Sequence, residues 1–242
     1  MNNAPLQANH DAAEFARWLD DFFAAYYRHR PVNATFIGVH DYDECLPDYS
    51  EAGLAATVSD MRSLKQRASA ISASALTRTQ QVDKRLCEGY LELQFWEFEQ
   101  DHGVRANPCL YTGEAIFGVM SLLLTDFAPL DERMRCATAR LNAIPELLRQ
   151  GQKNIRQAPA AWAALAATEC KAAVRFLGNA GLHFPGARAP QEYHRGVERA
   201  ARAFDEFGAW LKSDLASAPE SRYGCGEEAL AMHLQQAHCL EQ

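Results

Sequence analysis

Several things are scarce or missing in this sequence. It contains no run of the ~18 apolar residues needed to cross a bilayer. Met1 to His10 lacks the basic and apolar segments of a secretory leader, so the expected location is the cytoplasm. Seven cysteines are present (Cys45, Cys87, Cys109, Cys136, Cys170, Cys225 and Cys239), but the number is odd and no two form a C-x-x-C pair. That argues against a disulfide framework and a thiolate zinc knuckle, and for small buried hydrophobes in a reducing compartment. H-E-x-x-H, G-x-S-x-G, S-x-x-K, G-x-G-x-x-G and the Walker loop are all absent. Each absence removes one standard route to zinc hydrolysis, acyl transfer or phosphate binding. Strand signals are nearly missing as well. Only Ala34 to Val39 has some β character, and it reads equally as an extended connector.

What remains is apolar and helical. Of the 242 residues, 48% are hydrophobic and 10% aromatic, enough for a large core and too many for a disordered chain. The formal net charge of −7 disfavours nucleic acid as a partner. Charge is uneven: residues 1–60 hold ten acids against three bases, and residues 133–212 hold thirteen bases against six acids. Solvated helix faces of opposite sign account for this, and so does a field that orients an ionic ligand.

Apolar residues recur at helical spacing along most of the chain. Asp11 and Glu14 resemble a capping pair opening a helix that carries Phe15, Trp18, Leu19, Phe22 and Tyr26 and stops at Pro31. Ser50 is placed to cap a helix with Leu54, Val58, Met61, Leu64, Ala68 and Ile71. A third follows Thr79 through Leu86, Tyr90 and Trp96 to Gly103. Ala115 to Leu124 reads as a central buried helix entered at Asn107-Pro108, with Asn107 as N-cap. Leu130 to Ile155 is helical, with a kink or break expected near Ile144 because Pro145 lacks an N–H. Trp162 to Leu177, Tyr193 to Leu215 and a segment after Gly226 complete the set. Pro31 to Ser50 and Gly178 to Pro190 read as loops. The expected architecture is all-α: a single bundle of about eight helices in one domain, residues 1–242.

Candidate chemistry concentrates in few places. His40, Asp41, Asp43, Glu44 and Asp48 lie on one loop; they are able to hold a hard cation, or to cap turns through Asp41 or Asp43. His233 and His238 are five residues apart, ~140° around a helix, so one ion does not easily take both. Gly224-Cys225-Gly226 offers N–H groups to an anion or forms a plain turn. Arg140, Glu146, Lys153, Asn154 and Arg156 flank Pro145 and read as surface charge or a cavity wall. Leu230, Leu234 and Ala237 form a stripe on the last helix that needs something to pack on.

Several of these segments carry a family likeness. Arg30-Pro-Val-Asn-Ala-Thr-Phe-Ile-Gly-Val-His-Asp-Tyr-Asp, then Leu46-Pro47-Asp48 and Ser50, resembles the N-terminal signature of the DUF885 family. So do Asn107-Pro108 with Tyr111-Thr-Gly-Glu-Ala-Ile-Phe-Gly, and Arg140-Leu141 with Ile144-Pro145, Leu147-Leu148 and Asn154. Trp210-Leu211 and Gly226-Glu227 follow in order. The family's members are bacterial, largely helical and similar to zinc metallopeptidases. Their H-E-x-x-H helix stands in the second half of a chain about twice as long.

The resemblance therefore implies a metallopeptidase-like N-terminal region without its zinc ligands. No zinc or other cofactor is expected in this chain, zinc belonging only to full-length members. His40, Asp41, Asp43, Asn107 and Tyr111 become candidates for shaping a substrate cleft. Three functions are open: a cleft-forming half inactive in isolation, a repurposed small-molecule enzyme using the His40–Asp48 loop, and a non-catalytic binding protein. Through Leu230 and Leu234 the chain would form a homodimer or receive a complementary C-terminal segment.

Overall fold

The computed structural model describes residues 4–100, 102–179, 190–217 and 224–240. Helical periodicity becomes ten α-helices among these residues: α1 (Ala4–His29), α2 (Pro31–Phe36), α3 (Glu51–Ala70), α4 (Arg78–Glu99), α5 (Gly103–Ala106), α6 (Pro108–Leu124), α7 (Leu130–Asn154), α8 (Ala160–Gly178), α9 (Gln191–Ser213) and α10 (Glu227–Ala237). No strand occurs among the described residues, so the fold is all-α. Local chemistry sets several starts. Thr77 and Gln80 form a reciprocal capping box on α4, with Gln80 N donating to Thr77 Oγ1 at 3.3 Å and Thr77 N to Gln80 Oε1 at 3.0 Å. Asn107 caps α6 by accepting from Cys109 N at 3.0 Å, with Pro108 in the first turn where its missing N–H costs nothing.

Three local expectations change. Helix α1 opens at Ala4, so Asp11 and Glu14 lie inside it rather than at its start. The stretch read as a strand or connector is largely α2, closed by Gly38 at φ +91°. Pro31 starts that helix, Thr35 Oγ1 donates back to the Pro31 carbonyl at 3.1 Å, and the turn packs on α6. Tertiary burial of Val32, Ala34 and Thr35 overrides their β preference. Pro145 does not end α7, which runs to Asn154. The neighbouring turns are held by packing on α6 and α9, and Ile144 and Leu141 are fully buried. Residues 180–189 of the expected second loop fall outside the described residues.

Two compact units emerge. The first joins three separate stretches, residues 1–26, 51–100 and 224–242. Its core is Phe15, Trp18 and Phe22 of α1 with Met61, Leu64, Ala68, Cys87 and Leu91 of α3 and α4. Trp18 buries its ring and donates Nε1–H to the Leu64 carbonyl at 2.9 Å, which satisfies the polar handle a buried indole brings. Helix α10 lies along α4. Ala229 is buried there, and His233 meets the Trp96 ring edge-on at 4.8 Å. Gly89 admits the Gln236 backbone where a Cβ would collide with its carbonyl oxygen. The docked face of α10 is therefore Ala229, His233 and Gln236, while Leu230 stands 54% exposed and Leu234 is half-buried.

The second unit comprises residues 27–50 and 101–223. Helices α6, α7, α8 and α9 pack on one another, and α2 and α5 lean on α6. Small residues permit the close approach: Gly196 of α9 faces Leu141, and a Cβ on Gly208 would sit 3.3 Å from that of Cys170. Tyr193, Phe204 and Phe207 fill the space between.

Candidate functional site

The loop from Ile37 to Ser50 crosses the second unit, and each end is tied down differently. At its start, Asp43 is only 6% exposed, and burying a carboxylate demands compensation. Asp43 Oδ2 lies 3.0 Å from His40 Nδ1, and Oδ1 accepts from Thr35 Oγ1 at 2.6 Å. Thr35 Oγ1 in turn accepts from Arg140 Nη2 at 2.6 Å. The Arg140 side chain is wholly enclosed. It also donates to the carbonyls of Gly118 at 2.6 Å, Pro31 at 3.2 Å and Tyr42 at 3.2 Å, and to Ser121 Oγ at 3.1 Å. Burial pulls the Arg140 guanidinium down to about 10, with Asp43 acting in the opposite direction, so it stays charged at neutral pH. One planar cation thus gathers α2, the loop, α6 and α7. The His40 ring stacks on Phe127, centroids 3.8 Å apart and planes 9° from parallel. Asp41 points into solvent.

The far end of the loop is clamped through the last turns of α7. Gln150 accepts from Tyr49 N at 2.8 Å and donates to Asp48 Oδ1 at 3.1 Å. Asn154 donates to the Tyr49 carbonyl at 2.8 Å and to the Tyr111 hydroxyl at 2.9 Å. Tyr111 donates to the Val104 carbonyl at 2.7 Å, and burial pushes its phenol well above the usual range. The Tyr111 ring lies against Gly151, where a Cβ would sit 2.8 Å from Cγ.

The sequence candidates therefore separate by role. His40 and Asp43 come together, but both Asp43 oxygens are occupied within the protein. Asn107 is spent as a helix cap, and Tyr111 on holding α5 and α7. Among the described residues no group of three or more His, Cys, Asp or Glu side chains is placed to hold a metal ion, so these residues do not fit a zinc site. Burial drives the thiols of Cys87, Cys109 and Cys170 up to about 12, away from an activated thiolate. Arg140 and Asn154, read as flanking surface charge and polarity, are instead central anchors. Their signal was present in the period, because Ala137, Arg140, Ile144 and Leu147 share one face of α7 and three of the four are apolar. Thr35 and Glu114 had no such signal.

The fold and this polar framework define an all-α protein in which Arg140, Gln150 and Asn154 brace one loop. A family model matches residues 31–240, described as "Bacterial protein of unknown function (DUF885)". The chain belongs to the DUF885 family. No curated protein matches it. Among solved structures it is similar to a protein from Shewanella oneidensis described as a putative lipoprotein of unknown function, at 20% identity and a TM-score of 0.76. The likeness covers 91% of this chain and 42% of that one, so the chain spans less than half the length of its structural relative. At that identity the comparison establishes the fold. No described helix is long and apolar enough to cross a membrane.

Proposed function

We propose that this chain forms the N-terminal, cleft-shaping part of a metallopeptidase-like architecture and has no hydrolase activity by itself. The observation that carries the reading is the mismatch of extents: nearly all of this chain aligns in structure with less than half of a longer helical protein. The side chains behind the family resemblance hold the loop in place, as a wall of such a cleft requires. On this reading the His40–Asp48 loop and the Asn107–Tyr111 turn form a rigid wall, and the metal-bearing residues come from other polypeptide. The test is native mass spectrometry after incubation with zinc, paired with a peptide-cleavage assay with and without chelator. The expected result is no stoichiometric zinc and no cleavage. Chelator-sensitive cleavage by the purified chain would overturn the proposal.

A second reading rests on the His40–Asp43 pair. A buried carboxylate that fixes the Nδ1 side of a partly exposed imidazole is the arrangement that orients a general base. This reading makes the chain an enzyme for a small molecule. Turnover retained in full by His40→Ala would exclude it.

A further inference from the structure

The second unit contains a cavity of about 370 Å³ that none of the candidates His40, Asp41, Asp43, Asn107 and Tyr111 lines. It lies between α2 and the first turns of α6, with Val32, Phe36, Leu110, Glu114, Phe117 and Ser121 among its walls. Its size falls in the range of small-molecule sites, ~300–1,000 Å³, and its lining has their character, apolar with few polar groups. Two aromatic side chains at its edge stay in water, Phe36 at 65% and Phe117 at 52% exposed. Large apolar side chains so placed mark contact sites more often than isolated surface residues do.

Asn33, Ser121 and Glu114 are the polar side chains in this wall, and Glu114 is the carboxyl among them. Its Oε2 is buried and has no hydrogen-bond partner. Such an acceptor, removed from water and left unpaired, carries a desolvation penalty that a ligand's donor would relieve. Arg30 and Arg140 both act on the Glu114 carboxyl, and Asp43 acts on Arg140. A charged ligand would have to give up its hydration against a largely apolar wall, a cost that a neutral one avoids.

We infer that this cavity binds a neutral aromatic small molecule carrying one hydrogen-bond donor, of the indole or phenol type, with its ring against Phe36 and Phe117 and its donor on Glu114 Oε2. The inference is independent of the proposed peptidase-like architecture, since it concerns other residues and requires no hydrolysis.

Indole and its donor-free isostere benzothiophene separate the donor contact from simple apolar filling. Binding would be followed by two-dimensional NMR of the full chain, using the amides of Gly113 and Gly118 as local reporters. The expected result is saturable indole binding that moves these reporters and is about tenfold tighter than benzothiophene binding, the worth of one buried hydrogen bond. Glu114→Met, close in size, should erase that preference while benzothiophene still binds, and retained benzothiophene binding shows that the variant keeps its fold. Equal affinities in the unmodified chain, an indole preference that survives Glu114→Met, or no saturable binding of either probe would each overturn the inference.

Discussion

Glu114 shows how one side chain ties stability to pH. Burial raises its carboxyl above the ordinary value of 4.5, and the opposing pull of Arg30 and Arg140 is smaller. For an acid shifted upward, the folded state binds its proton more tightly than the unfolded chain does. Its contribution is thus present below the unfolded value and lost as pH rises through the folded one. Glu114→Gln keeps the shape and abolishes the titration. The urea midpoint of this variant, relative to the unmodified chain, should therefore climb as pH increases from 4 to 8. A constant difference between the two across that range would show that Glu114 ionises as freely in the fold as in the unfolded chain.

At the scale of elements, what was readable in the sequence depended on whether one helix or several specify a feature. The stripes of α1 and α3 were legible because Phe15, Trp18, Phe22, Met61 and Leu64 need only their own period to declare a buried face, whereas on α4 the expected Leu86 is exposed and Cys87 and Leu91 are buried instead. The Asn107 cap was legible for the same local reason. Helix α2 was not, since Val32 and Thr35 favour a strand until packing on α6 buries them. The bracing of the loop was hidden too, because Asp43, Thr35 and Arg140 are separated by up to 105 residues in the chain. The docking of α10 on α4 also depends on a pair, Gly89 and Gln236. Gly89→Ala places a methyl group against backbone, which only a shift of α10 relieves. Hydrogen exchange in α10 should then quicken by at least an order of magnitude while α6 to α9 stay protected. Unchanged protection of α10 would mean that the contact tolerates a side chain.

The whole molecule carries its own reporters, with Trp18 and Trp96 in the first unit and Trp162 and Trp210 in the second. Arg140→Met removes the donor shared by the Gly118, Pro31 and Tyr42 carbonyls. Leaving a buried polar group unpaired costs about 1–3 kcal/mol. In variants retaining single tryptophans, this substitution should lower the urea midpoint reported by Trp210 more than that reported by Trp18. Coincident shifts would define one cooperative block spanning both units.

The first unit is assembled from the two ends of the described chain, and this sets an order of events on the ribosome. Residues 27–50 and 101–223 are all translated before α10 exists, so the second unit has its full complement of sequence first. Helices α1, α3 and α4 emerge earlier, yet they wait for Glu227–Ala237 to cover Gly89 and Trp96. Domains usually fold in the order in which they begin to emerge. Here residues 27–50 and 101–223 are complete before the unit that contains α1, and Gly89 and Trp96 wait uncovered until α10 emerges.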